Sequence, residues 1–135
     1  MSCYLGHHLI ADLHDAAHLT DVEHVERCLV EAAAAAGATV LEVRLHSFGP
    51  GMGVTGVAML AESHISIHTW PEYGSACVDL FLCGRSHDLE AALATIVARL
   101  EARVSKRTLL TRDLGSDAKL YPGEGRGPAS VVPAN

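Results

Sequence analysis

Glu62-Ser63-His64-Ile65-Ser66-Ile67-His68-Thr69-Trp70-Pro71-Glu72-Tyr73-Gly74 is the stretch from which the rest of the chain can be read. Ser63 to Trp70 reads as a strand, and Pro71 and Gly74 break the chain after it. The stretch sets a carboxylate, a hydroxyl and two imidazoles along one short segment. In a strand, His64 and His68 project from the same face. A Glu-Ser peptide bond at the head of such a segment is where a chain can cut its own backbone.

Working outward, Val54–Leu60 reads as the preceding strand and Gly49-Pro50-Gly51-Met52-Gly53 as a turn before it. Ser75–Leu82 reads as the following strand, with Cys77, Asp79, Phe81 and Cys83 on one face by the period of two. Leu5–Leu13 and Thr39–Phe48 are two more strands, and Val104–Arg112 is the last. A first helix starts at Thr20, with Glu23 completing a capping box, and ends at Gly37. Val22, Val25, Leu29, Ala32, Ala33 and Ala36 fall on one of its faces. A second starts near Ser86 or Asp88, and Leu89, Ala92, Leu93, Ile96, Val97 and Leu100 form its apolar stripe.

This strand-helix-strand rhythm, repeated in each half, predicts an α+β fold. It is a two-layer α/β sandwich, an antiparallel sheet covered on one face by two helices. Residues 1–112 form a single domain. Residues 113–135 are expected to be a flexible tail, rich in Gly, Pro and Ser from Gly115 onward.

The central stretch resembles the processing site of the prokaryotic S-adenosylmethionine decarboxylase proenzymes, a pyruvoyl-dependent family. Their pattern is a Glu-Ser-His run followed by His-Thr-Trp-Pro-Glu, with a Cys-Gly pair closing the next strand. Cys83-Gly84 stands at that place. The resemblance extends from about Tyr4 to Val104, and a match of this length is far more specific than a short motif.

What such chemistry requires can be stated from the residues. A serine hydroxyl attacks the preceding carbonyl carbon and turns the amide into an ester, which calls for strain and for donors to the oxyanion. A base then takes the serine α-proton. Elimination splits the chain, and the dehydroalanine hydrolyses to a pyruvoyl ketone. That ketone condenses with a substrate amine and accepts the electrons freed when carbon dioxide leaves.

The resemblance implies cleavage into 1–62 and 63–135, with Ser63 becoming the pyruvoyl cofactor. Glu62 precedes the scissile bond, His68 is the processing base, and Thr55 matches a serine that assists processing. Cys83 matches the general acid of decarboxylation. Phe48 corresponds to a phenylalanine that stacks on adenine, Glu72 to a glutamate on the ribose hydroxyls, and Tyr4 to a further stacking position. It also implies a homodimer of processed protomers with sites shared across the interface. The product is the aminopropyl donor for spermidine.

Each residue has a plainer reading beside this one. Ser63 alone would be a strand-edge serine, Phe48 a core residue, and Glu72 a solvated turn glutamate. Cys77 is read as core packing, and Cys3 and Cys28 as structural or incidental. His64 and His68 could pair on a metal, but a zinc site wants three or four ligands. No third His or Cys at a familiar spacing completes it, so the expected metal is none.

Composition narrows the partners. A net charge of −6 and pI near 5.8 disfavour nucleic acid, which selects basic patches. The N-terminus lacks a signal peptide's charged start and apolar run, and the Ala32–Ala36 run is too short for a bilayer. With no secretory signal, Cys3, Cys28, Cys77 and Cys83 are expected as reduced thiols in a cytoplasmic protein.

The departures from the family pattern cluster near the expected substrate pocket. The loop from Phe48 to Thr55 is one residue longer than the commoner form, Thr55 replaces serine, and Ser75 replaces tyrosine. His7 stands where arginine is common. S-adenosylmethionine is therefore the expected substrate, because Phe48 and Glu72 are retained. Arginine or ornithine decarboxylation by the same chemistry is the alternative. An unprocessed binding or regulatory paralogue is a second.

Overall fold

The structure, a computed structural model, describes residues 5–115. The expected positions Tyr4 and Cys3, and the expected flexible tail beyond 115, lie outside the described residues. Six strands form one antiparallel sheet: β1 (Leu5–His14), β2 (Val40–Ser47), β3 (Val54–Leu60), β4 (Ser63–Trp70), β5 (Ser75–Cys83) and β6 (Arg103–Asp113). The order across the sheet is β2-β3-β4-β5-β1-β6. β2 to β5 form a meander. β1 slots in between β5 and β6, tying the two ends of the chain together.

The helices are α1 (Val22–Ala36) and α2 (Leu89–Arg99). α1 packs on β2, β3 and β4, α2 packs on β1 and β5, and the helices pack on each other. The cap of α1 differs from the expectation by one residue. Asp21, not Thr20, is the N-cap, and its carboxylate accepts the amide of His24 at 3.1 Å. A carboxylate caps as well as a hydroxyl and also complements the helix dipole. Asp88 caps α2 the same way through the amide of Ala91. Gly37 ends α1 in the left-handed conformation at φ 82, where a Cβ would be strained.

Alternation sorts the sheet into two faces. Leu9, Ala11 and Leu13 of β1, Ile65 and Ile67 of β4, and Val78, Leu80 and Leu82 of β5 are buried beneath the helices. They meet Val25, Leu29, Ala32 and Ala33 of α1 and Leu89, Leu93 and Ile96 of α2 in one core. Each fully buried Ile, Leu or Val stabilises the fold by about 1.5–3 kcal/mol. Cys28 belongs to this core, and burial pushes its thiol pKa up to about 12. Among the described residues, no helix covers the opposite face. His8, Ile10 and Asp12 of β1, His64, Ser66 and His68 of β4, and Cys77, Asp79 and Phe81 of β5 occupy it.

Candidate active site

The hairpin joining β3 to β4 turns through Ala61 and Glu62, with Leu60 paired to Ser63. Glu62 has φ 68, a left-handed backbone that costs a non-glycine residue roughly 1 kcal/mol or more. The residue before Ser63 is thus the strained one. Among the described residues, the Ser63 hydroxyl donates only a long 3.4 Å bond to the Ala61 carbonyl, so nothing stronger there holds it away from its own peptide.

The register of β4 on β5 pairs His64 with Phe81. Continued outward, it brings Ser63 opposite Leu82 and Glu62 level with Cys83. Gly6 of β1 is paired with Cys83 on the other side. The hairpin tip and the last residue of β5 therefore share one end of the sheet. Behind Cys83, Gly84 lies under the His7 ring: a Cβ there would sit 2.2 Å from His7 Nδ1.

Cys83 itself is disulfide-bonded, while Cys28 and Cys77 are free. This corrects the expectation of four reduced thiols. Cys83 is the last residue of β5 and is half-buried. Cys77 is also corrected. It is half-buried on the open face rather than in the core, and its thiol donates to the Asp12 carboxylate at 3.6 Å. Burial first, then that carboxylate, raise its pKa, which makes it a poor proton donor at neutral pH.

The remaining expected residues gather at the other end of the sheet. Thr55 of β3 is paired with His68 of β4, and Thr55 Oγ1 lies 3.2 Å from His68 Nδ1. A cavity of about 300 Å³ opens there, lined by Phe48, Met52, Thr55, His68, Trp70 and Glu72, among others. The Phe48 ring packs edge-on against His46, with centroids 4.7 Å apart, and Phe48 is 59% exposed, not part of the core.

Sequence reasoning missed Thr69, which holds this end in shape. It is buried, donates to Leu19 O at 2.8 Å and accepts from the amide of Val54 at 2.8 Å. Gly53 lies against it so closely that a Cβ would be 2.2 Å from Thr69 O. The glycine-rich loop was legible as a turn, but not as the floor of a cavity.

So the expected site residues fall into two groups along the strands. Ser63, Glu62 and Cys83 stand at one end of β4 and β5, and Thr55, His68, Phe48 and Glu72 at the other. Five residues of extended strand separate Ser63 from His68, roughly 16 Å.

The model of the S-adenosylmethionine decarboxylase family matches residues 7–113. The chain belongs to that family. It is 45% identical over 102 residues to the S-adenosylmethionine decarboxylase proenzyme of Thermodesulfovibrio yellowstonii, covering 74% of this chain and 75% of that protein. It is 50% identical over 95 residues to the proenzyme of Methanococcus aeolicus, covering 69% and 80%. The fold is similar to the crystal structure of the adenosylmethionine decarboxylase from Aquifex aeolicus, with a TM-score of 0.68 and 33% identity over 85% of this chain and 94% of that one. These relatives bear out the expected fold class, an antiparallel sheet with two helices. Among the described residues, no helix is long and apolar enough to cross a membrane.

Proposed function

We propose that this protein is a self-processing S-adenosylmethionine decarboxylase that makes its own pyruvoyl group by cleavage between Glu62 and Ser63. Its product would be the aminopropyl donor for spermidine. The observation that carries the reading is the left-handed Glu62 at the hairpin tip, directly before Ser63, in a chain whose relatives are proenzymes.

Ser63 Oγ attacks the carbonyl carbon of Glu62, and the Ser63 nitrogen leaves as the ester forms. Relief of the Glu62 backbone favours this step. Removal of the Ser63 α-proton by an imidazole then expels the Glu62 carboxylate and divides the chain, and the dehydroalanine left on the second fragment takes up water and loses ammonia to become the ketone. Once formed, the pyruvoyl ketone supplies an electron sink for loss of the substrate carboxylate. Cys83, when its thiol is free, delivers the proton that replaces it. Phe48 and Glu72 hold the adenosine end, by stacking and by accepting the ribose hydroxyls. Their shared cavity favours this substrate over arginine or ornithine, which offer no ring to stack.

His68 is the processing base in this reading, yet it stands roughly 16 Å from Ser63 along the same strand. Two copies resolve this. If the open faces of two sheets meet with their β4 strands antiparallel, the Ser63 end of one lies over the His68 end of the other, and two whole sites form. The open face has an apolar complement for such pairing, with Ile10, Met59 and Leu110 each 40% exposed or more.

Co-expression of Ser63→Ala with His68→Ala tests both parts. Alone, the Ser63→Ala chain stays intact and the His68→Ala chain is cut about 10²-fold or more slowly than wild type. Together, the His68→Ala chain is cut, because its Ser63 meets the imidazole of the other copy. No cleavage in the mixture removes the shared site. An intact wild-type chain by mass spectrometry removes the self-processing reading, and failure to release labelled carboxyl carbon from S-adenosylmethionine removes that substrate.

A further inference from the structure

Three strands bring together a group that the proposed reaction does not use. His8 from β1, His64 from β4 and Asp79 from β5 sit on the open face with their ligand atoms within 4.8 Å of one another. His64 Nε2 is 3.1 Å from Asp79 Oδ1 and His8 Nε2 is 3.4 Å from Asp79 Oδ2. Ser66 Oγ donates to Asp79 Oδ1 at 2.9 Å and fixes the carboxylate. Phe81, paired with both histidines, packs between them with ring centroids 5.4 and 5.9 Å away.

We propose that His8, His64 and Asp79 form a binding site for a divalent transition-metal cation of the zinc type. Two imidazoles and one carboxylate are a zinc ligand set that leaves a fourth position open. At zinc–ligand bonds of about 2.0–2.1 Å, neighbouring ligands of a tetrahedron stand about 3.3 Å apart. His64 Nε2 stands near that spacing from Oδ1 and His8 Nε2 from Oδ2, so an ion between them takes the carboxylate through one oxygen or both. The expectation of no metal rested on His64 and His68 as a pair with no third ligand. His68 is not part of this group, and His8 and Asp79 come from elements distant in sequence.

A second observation points to a ligand. Among the described residues, His8 Nε2 is buried and lacks a hydrogen-bond partner of good geometry, although Asp79 Oδ2 is 3.4 Å away. Such a nitrogen is costly to bury unpaired, and a cation between it and Asp79 satisfies both. Arg112 of β6 opposes this. Its guanidinium is 3.3 Å from His8 Nδ1, and as arginine only donates, that nitrogen must accept and the His8 proton must sit on Nε2. Metal binding at Nε2 moves the proton to Nδ1 and releases Arg112 to solvent. A carboxylate at position 112 would instead accept the Nδ1 proton, as acidic partners of metal-bound imidazoles do.

The test uses untagged, purified protein freed of metal with chelator, titrated with Zn²⁺ by calorimetry and with Co²⁺ by visible absorption. The site is independent of self-cleavage, so it is expected in the Ser63→Ala chain too. Wild type takes up one equivalent per chain with the Co²⁺ bands of a four-coordinate site. His64→Ala and Asp79→Asn each weaken binding at least tenfold, and Arg112→Glu tightens it about tenfold. His64→Gln, which keeps volume and a hydrogen bond to Asp79, serves if the alanine variant melts at assay temperature. Absence of binding in wild type overturns the proposal. So does undiminished binding in both ligand variants, which puts the ion on surface imidazoles such as the stacked His18 and His24. Failure of Arg112→Glu to tighten binding removes His8 as the third ligand and leaves no site.

Discussion

Thr55 Oγ1 and His68 Nδ1 meet at 3.2 Å across a paired rung of β3 and β4. The hydroxyl fixes the orientation of the imidazole and leaves Nε2 directed away from the rung, available to a proton. Replacing Thr55 by valine keeps the shape but removes that bond. Chain cleavage should slow measurably in Thr55→Val and recover in Thr55→Ser. His68→Ala should slow it about 10²-fold or more, the usual worth of a positioned base. Gel analysis of cleavage over time checks both, and wild-type speed in His68→Ala would assign the base elsewhere.

Cys83 is the residue whose chemistry depends on its redox state. A sulfur held in a disulfide carries no proton to give. Decarboxylation should rise when a thiol reductant is added, while the extent of cleavage stays unchanged. Cys83→Ser should be processed normally but turn over about 10²-fold more slowly, since a hydroxyl is a far weaker acid than a thiol. Turnover with and without reductant, measured for both proteins, checks this. Equal rates in wild type and Cys83→Ser remove the thiol from the reaction.

The cavity residues should divide the substrate's binding between them. Phe48→Ala should raise KM for S-adenosylmethionine by an amount equal to about 1–3 kcal/mol of lost stacking. Glu72→Gln should raise it less, because an amide oxygen still accepts a hydroxyl. Specificity constants on S-adenosylmethionine and arginine check the order. A larger loss for Glu72→Gln, with arginine the better substrate, would reverse the assignment.

Gly53 has no room for a side chain. Its Cβ would fall 2.2 Å from the Thr69 carbonyl oxygen and 3.3 Å from Pro71 Cδ. The obstacle is backbone, which cannot swing away as a side chain can. Gly53→Ala should destabilise the protein by about 1–3 kcal/mol, read as a lower denaturation midpoint. An unchanged midpoint would show that the loop and β4 are less rigidly docked.

Cys28 should give an alkaline signature. Its folded pKa is about 12, above its ordinary value of 9.0. Between those values the folded thiol keeps a proton that the unfolded chain has lost. Stability therefore falls as pH rises through this window, by up to about 1.4 kcal/mol per pH unit from this group. Cys28→Ala should flatten the slope above pH 9 while lowering stability at pH 7 through lost packing. An identical slope in both proteins would show that the thiol does not titrate with unfolding.

Much of this molecule is local, and so was legible from the chain. The apolar residues Ile65 and Ile67 alternate with His64, Ser66 and His68, and a strand with one buried face follows from that alone. Pro71 and Gly74 end it because neither continues the ladder easily. The helical stripes of α1 and α2 and the caps near Asp21 and Asp88 are likewise properties of a few neighbouring residues. The chemical types at Ser63, His68 and Cys83 are in the sequence, as is the family pattern they form.

Which residues meet is decided by pairing across the sheet. Ser63 and His68 look adjacent in the sequence, but an extended strand carries them roughly 16 Å apart. Antiparallel register instead brings the hairpin tip at Glu62 level with Cys83, some twenty residues on, and sets Thr55 against His68. The insertion of β1 between β5 and β6 puts His8 beside Asp79 and His64, a meeting that no spacing within one segment encodes. Composition and period choose the elements; hydrogen bonds between distant strands choose the neighbours, and chemistry follows the neighbours.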